Sequence, residues 1–272
     1  MGLEFADFDA GTGTRVAAGA VYGTALLGAG PRSLRASLYL PKAARTPVPV
    51  LVWMHGGGFE TGDPDTLQIR RLARQLTARG FALAAPQYRL GAQEADLSPE
   101  ARGKLGALAA MPATQGAEAL AGPRAIAAAE DVARFLDWLA ARAEGLGLCP
   151  RPVLGGSGAG AATAFNAAFL LPWLGLSHPD PAGILSYSGG FAWPGLYEPG
   201  RMPVFALHNP DDKEVDIAAI RALSQMDPDL ELIEAFEHEH GALRLYPKEP
   251  KAETFGRLRA MLARWAGATA AP

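Results

Sequence analysis

The sequence predicts an α/β fold built on a mostly parallel sheet, and three observations carry that expectation. Short apolar, strand-like runs alternate with helical ones along the chain, the pattern left by successive βαβ units. Val48–Met54 is a near-continuous apolar run, as expected of a strand covered on both faces. At Pro152–Leu154 an apolar run leads into a glycine-boxed serine, Gly155-Gly156-Ser157-Gly158-Ala159-Gly160, and a helical stretch follows at once. The 272 residues are 49% hydrophobic and 19% charged, ample material for one large core.

The elements follow in order. Val21–Leu27 and Leu34–Leu40, separated by Gly28, Gly30 and Pro31, predict an antiparallel pair. After the Val48–Met54 strand, a helix is expected over residues 66–79, ended by Gly80, and then a strand over 81–88. Residues 125–142 place Val132, Phe135, Leu136 and Leu139 on one helical face. Beyond the serine turn come strands at 183–187, 203–208 and 230–236, with a helix at 217–224 and a final amphipathic helix over 252–265. No fixed-period repeat or linker divides the chain, so residues 1–272 read as a single domain. The alanine- and glycine-rich stretch 91–123 contains no strand pattern. Connections of that length are commonly functional lids; a surface insertion is the alternative.

Composition narrows the function. A net charge of −3 offers no basic footprint for nucleic acid, and no polybasic segment suits an anionic membrane. The apolar stretch 158–176 contains Asn166 and Pro172, which favours a buried helix over a bilayer span. The first twenty residues lack a basic segment followed by an apolar one, so no secretory signal is expected. Cys149 is the only cysteine, which excludes an intrachain disulfide and a cysteine-based zinc site. The expectation is a soluble, cytoplasmic protein with no stable membrane insertion; a homo-oligomer stays open.

The chemistry lies at strand ends, where open parallel sheets gather their ligands. Ser157 stands in a near match to G-x-S-x-G, with Ala159 where the second glycine is expected. A serine needs a base and a group that orients the base. Asp211 and Asp212 follow one strand end, and His238 and His240 follow another, in the chain order Ser, Asp, His. His55-Gly56-Gly57-Gly58-Phe59 supplies backbone N–H groups that can approach an oxyanion without side-chain obstruction. Gly156-x-Gly158-x-x-Ala161 also fits a loose dinucleotide pattern, but several strands precede it, whereas that fingerprint occupies the first βα turn. His238 and His240 would point apart on an extended segment, against a shared metal.

On His55-Gly56-Gly57-Gly58-Phe59, Tyr88-Arg89-Leu90, Glu130-Asp131-Val132 ahead of Trp138-Leu139, and the serine turn, the chain resembles α/β-hydrolase esterases. The hormone-sensitive-lipase-like and feruloyl/acetylxylan-esterase-like groups are the nearest kinds. The resemblance runs from about Leu34 to the final helix. It implies an α/β-hydrolase fold of about eight strands with a minimal cap, because only Phe191–Met202 separates the strands taken as its sixth and seventh. It also implies Ser157 as nucleophile, Asp212 as acid and His240 as base, with the Gly57, Gly58 and Gly158 amides as oxyanion hole and His55 as a brace. The expected reaction is hydrolysis of a small or medium carboxylic ester through an acyl-enzyme, with no metal and no cofactor. Phe59, Phe191 and Trp193 are candidates to line the substrate pocket. Amide cleavage by the same machinery, or a catalytically silent binding protein, are the alternatives.

Overall fold

The computed structural model describes residues 3–8, 13–44, 47–114, 116–234, 240 and 251–265. The chain opens with β1 (Ala6–Asp7), β2 (Thr14–Leu27) and β3 (Gly30–Pro41), paired antiparallel in that order. β2 begins seven residues before the expected Val21, since Thr14 pairs with Pro41. Its Ala- and Gly-rich first half has little strand propensity of its own. Pairing with β3 makes it a strand, and two register shifts absorb its irregularity.

Next come β4 (Val50–Met54), α1 (Leu67–Thr77) and β5 (Ala82–Pro86). The Thr66 hydroxyl accepts from the Ile69 N–H at 3.3 Å and caps α1. β5 closes on β3 antiparallel and on β4 parallel. Two helices follow, α2 (Pro99–Ala109) and α3 (Pro123–Leu146); Ser98 caps the first, and Gly147, at φ +67°, ends the second. β6 (Val153–Ser157) leads through Gly158 into α4 (Ala159–Phe165), which runs on through a π turn at Asn166–Leu170 into α5 (Leu171–Leu174). Every residue from Ala159 to Leu171 is buried, so the 158–176 stretch is a core helix. Pro172 lacks the N–H that would bond back to Ala168, and the wider turn precedes it.

The rest of the chain adds β7 (Gly183–Tyr187), β8 (Val204–His208), α6 (Ala218–Met226), β9 (Glu231–Glu234) and α7 (Lys251–Trp265). The single sheet has nine strands in the order β1-β2-β3-β5-β4-β6-β7-β8-β9, parallel from β5 to β9. The expected eight become nine through the two-residue edge β1. Between β7 and β8 the helical content is one short 3-10 turn, Pro194–Leu196, which matches the expected minimal cap. Positions 235 and 236 of the expected last strand, together with His238 and Gly241, lie outside the described residues.

Both faces of the sheet are covered. Val50, Val52 and Met54 of β4 point into a core shared with α3 and α4, while Leu51 and Trp53 point into a second core with α1 and α7. Two-sided burial explains why the strand reads as unbroken apolar sequence. The winding reverses beside β4, which has β5 on one side and β6 on the other. Such a switch point opens a crevice at the carboxyl ends of the strands, and the loops after β4 and β6 both open there.

Candidate active site

The expected acid and base stand within hydrogen-bond distance of each other. Asp212, just past β8, accepts from His240 Nδ1 at 2.8 Å across 28 residues of sequence. The Asp212 side chain is fully covered and that of His240 is 20% exposed, so the pair is sheltered on one side and reachable on the other. The second carboxylate oxygen of Asp212 accepts from the Glu214 and Val215 N–H groups at 2.9 and 3.1 Å. Burial alone would raise this carboxyl, but those two amides and the His240 ring outweigh it and hold the group below the ordinary carboxylate range. Because a carboxylate only accepts, Nδ1 is the donor, and in the neutral ring this leaves the lone pair on Nε2. Asp211, the other carboxylate of the run, donates its backbone N–H to Asn209 Oδ1 in a turn and is exposed.

His240 faces the turn after β6, and the residue it faces is Gly158. A Cβ built on Gly158 would stand 2.6 Å from His240 Nε2. Gly158 also has the conformation of the turn's apex, φ +53° and ψ −116°, a region that side-chain-bearing residues enter only under strain. Ser157, the expected nucleophile, is instead the last residue of β6, in register with Tyr187. Its hydroxyl makes no hydrogen bond to His240 or to any other described residue. The carbonyl and hydroxyl oxygens of Ser157 lie 3.0 and 3.8 Å from where a Cβ on Gly56 would be, on the side of the glycine loop. The Ser157 side chain thus lies toward the glycine loop, with no hydrogen bond joining it to His240.

The amides shift by the same single step. The Gly158 N–H donates to the Tyr187 carbonyl at 2.9 Å and is not available as an oxyanion donor, which corrects that expectation. Ala159 is the first residue of α4, where backbone N–H groups have no partner within the helix. The motif itself carries this register. Gly156-Ser157-Gly158-Ala159-Gly160 has glycines two residues either side of Gly158, and both are required. A Cβ on Gly156 would fall 2.4 Å from the Gly160 carbonyl carbon, and one on Gly160 would fall 2.2 Å from the Met54 carbonyl oxygen.

The loop after β4 is held open by its own strain and a brace. Gly57 and Gly58 have φ of +114° and +62°, and Phe59 shares the left-handed region at +63°. A Cβ on Gly57 would meet the Thr61 carbonyl oxygen at 2.2 Å. His55 is buried, stacks on Tyr88 at 4.3 Å and sits with Nδ1 2.7 Å from the Gly56 carbonyl. The Tyr88 hydroxyl donates to the His55 carbonyl at 2.7 Å. Burial holds the His55 ring below the ordinary histidine range, consistent with a brace. His208 is likewise structural, with Nε2 donating to the Val215 carbonyl at 2.9 Å.

The three aromatic candidates do not line a cleft. Phe59, Phe191 and Trp193 are 1%, 0% and 4% exposed. Phe191 packs among Phe165, Phe169 and Trp193, and Phe59 sits against Tyr88. Aromatic residues near a sheet end bury large area whether or not a ligand is near. The 91–123 stretch carries α2 and is docked, with Leu97, Ala101, Leu108 and Leu120 buried. The Thr114 N–H donates to the Ala192 carbonyl at 3.0 Å. Among the described residues no cluster of side chains suits a metal ion, and no helix is long and apolar enough to cross a membrane.

A sheet whose winding reverses beside β4, with a histidine returned to face a strained turn after β6, is the architecture of the α/β-hydrolases. The chain belongs to that fold. Two curated relatives and two solved structures that it matches are esterases by name. Residues 36–99 match the family model described as BD-FAE. A stretch of 62 residues is 36% identical to Gut esterase 1 of Caenorhabditis briggsae and 37% identical to that of Caenorhabditis elegans. That stretch is 23% of this chain and 11% of either relative, so the chain spans about a tenth of the length of these curated relatives. Among solved structures, the propionate-bound esterase Est2 of the Planctomycetes species Thermogutta terrifontis superposes with a TM-score of 0.66. Identity to it is 15%, over 93% of this chain and 95% of that one. Esterase 2 of the same organism, phosphorylated by paraoxon, gives 0.64 at 18% identity over 93% and 94%.

Proposed function

We propose that the chain hydrolyses carboxylic esters of small or medium acyl groups at the crevice between the β4 and β6 loops. The observation that carries this reading is the Asp212–His240 pair, fixed at 2.8 Å and directed at the apex of the turn after β6. A neutral imidazole whose Nδ1–H is held by a carboxylate presents Nε2 as a general base. The amides of Gly57, Gly58 and Ala159 are the candidate donors for the developing oxyanion, where each such donor contributes on the order of 10²–10³ in turnover. Likeness to proteins named as esterases supports the substrate class. The chemistry asks for no metal or cofactor. The reading takes residues 1–272 as one domain, located in the cytoplasm, with the 91–123 segment bordering the crevice.

Purified protein is expected to cleave p-nitrophenyl acetate faster than buffer, and His240→Ala to lose about 10²–10⁴-fold of that rate. Equal rates for the two proteins would sink the reading. A second reading, binding without turnover, is favoured by one observation: the apex residue is a glycine and carries no nucleophile. The same assay separates the two, because a silent protein shows no rate that depends on His240.

A further inference from the structure

We propose that Gly158 occupies the position from which this architecture delivers its nucleophile, and that His240 activates a water molecule there to attack the ester directly. This rests on the ester-hydrolysis reading above. Four independent features place residue 158 at that position. It alone has the strained apex conformation at the strand-to-helix turn, φ +53° and ψ −116°. A side chain on it would begin 2.6 Å from His240 Nε2. The glycines that the turn cannot replace are Gly156 and Gly160, placed evenly about it. The N–H of the following residue, Ala159, is free of the sheet, whereas that of Gly158 is bonded to Tyr187.

Ser157 cannot take over the task from where it stands. It belongs to the β6 ladder, its oxygens face Gly56, and its hydroxyl makes no hydrogen bond to the base. The base and its carboxylate are nonetheless fully assembled. Gly158 brings no side chain to Nε2, and a water molecule is the small nucleophile that the proposal places there. Water is the co-reactant that ester hydrolysis consumes in any case.

The step balances without an acyl-enzyme. His240 Nε2 takes a proton from water as the water oxygen bonds to the ester carbonyl carbon. The carbonyl electron pair moves onto oxygen, among the loop amides. On collapse the carbonyl re-forms, the carbon–alkoxy bond breaks, and the alkoxide takes the proton from Nε2. The carboxylic acid and the alcohol leave, and His240 is neutral again. Serine-type hydrolysis would instead leave the acyl group on the protein between two half-reactions.

The test compares wild type, Ser157→Ala, Gly158→Ser and His240→Ala, each checked for folding by circular dichroism. The expected result with p-nitrophenyl acetate is no pre-steady-state burst in wild type and a Ser157→Ala rate within about twofold of it, since that side chain makes no transition-state contact. Paraoxon should leave the wild-type mass unchanged. Gly158→Ser should gain both a burst and a paraoxon adduct, located on residue 158 by mass spectrometry. The three atoms nearest the added Cβ all belong to the 20%-exposed His240 ring rather than to backbone, and a small rotation of that ring relieves the contact. A paraoxon adduct on Ser157 of wild type, or a loss of about 10²-fold in Ser157→Ala, overturns the proposal. So does a folded Gly158→Ser protein that takes no adduct. Failure of the underlying reading looks different: wild type and His240→Ala then share one background rate. That result removes the water step, while an adduct on Gly158→Ser still upholds the assignment of residue 158.

Discussion

Asp212 is held by more than its histidine. One oxygen takes two backbone N–H groups from Glu214 and Val215, which leaves the other aimed at His240 Nδ1. The backbone therefore sets the direction of the carboxylate, and the carboxylate sets the tautomer of the ring. Because its folded value lies below the ordinary carboxylate range, the anion persists into acid. Its contribution to stability is present above the unfolded value and fades only as pH falls through the lower folded one. Asp212→Asn keeps the shape but can turn an N–H₂ toward the ring and favour the wrong tautomer. The expected outcome is a fall in kcat on p-nitrophenyl acetate of about 10²–10⁴-fold with a near-wild-type urea midpoint. An unchanged kcat would remove Asp212 from the mechanism.

At the scale of elements, the turn after β6 is fixed by contact between backbones. β4 and α4 approach so closely at Gly160 that a methyl would lie 2.2 Å from the Met54 carbonyl oxygen. Neither element can retreat, because β4 is hydrogen-bonded on both edges. Gly160→Ala is expected to lower unfolding stability by about 1–3 kcal/mol or more, as overpacking does. Gly103→Ala, in α2, meets nothing within 4 Å and should gain up to about 1 kcal/mol from helix propensity. Urea unfolding of both variants checks the contrast; equal midpoints would mean that the β4–α4 contact is not tight. A second element-level device holds the loop after β5. Arg89 bonds Glu130 at 2.8 Å and Asp131 at 2.9 Å, all three side chains at most 2% exposed. Asp131 also accepts from the Arg89 N–H at 2.8 Å. This clamp ties the Tyr88-Arg89-Leu90 loop to α3, and Tyr88 in turn braces His55.

For the whole molecule, two buried histidines make stability depend on pH. Burial holds His55 and His208 below the ordinary histidine range. In the unfolded chain these rings titrate near about 6.5. As pH falls below that value the unfolded state takes up protons first, so stability declines until the lower folded values are reached. The urea midpoint should therefore drop between pH 7 and pH 5, and His208→Asn should make that drop shallower whatever it does to the midpoint at pH 7. An unchanged slope would show that the ring is not buried neutral. The sheet also sets where chemistry is possible. Its winding reverses at β4, so the glycine loop, the apex and the Asp212–His240 pair meet at one edge despite lying up to 185 residues apart.

Fold class and the strand-end position of the site were legible in the amino-acid sequence, and the resemblance to α/β-hydrolase esterases singled out Asp212 and His240 as the candidate acid and base. Unbroken apolar runs report two-sided burial, and the glycine loop, Asp212 and His240 stand after such runs in an order that one topology brings together. The first half of β2 was not legible, because its strand state comes from pairing with β3 rather than from its own residues. Nor was the burial of Phe59, Phe191 and Trp193, since an aromatic residue reads the same in a pocket and in a core. Only the tertiary structure decided which residue of Gly156-Ser157-Gly158-Ala159-Gly160 stands at the apex. A serine draws the eye in a one-dimensional string, but the apex is set by where β6 stops pairing with β7 and where two backbones touch at Gly160. Those are contacts between distant segments, and they give the place facing His240 to Gly158.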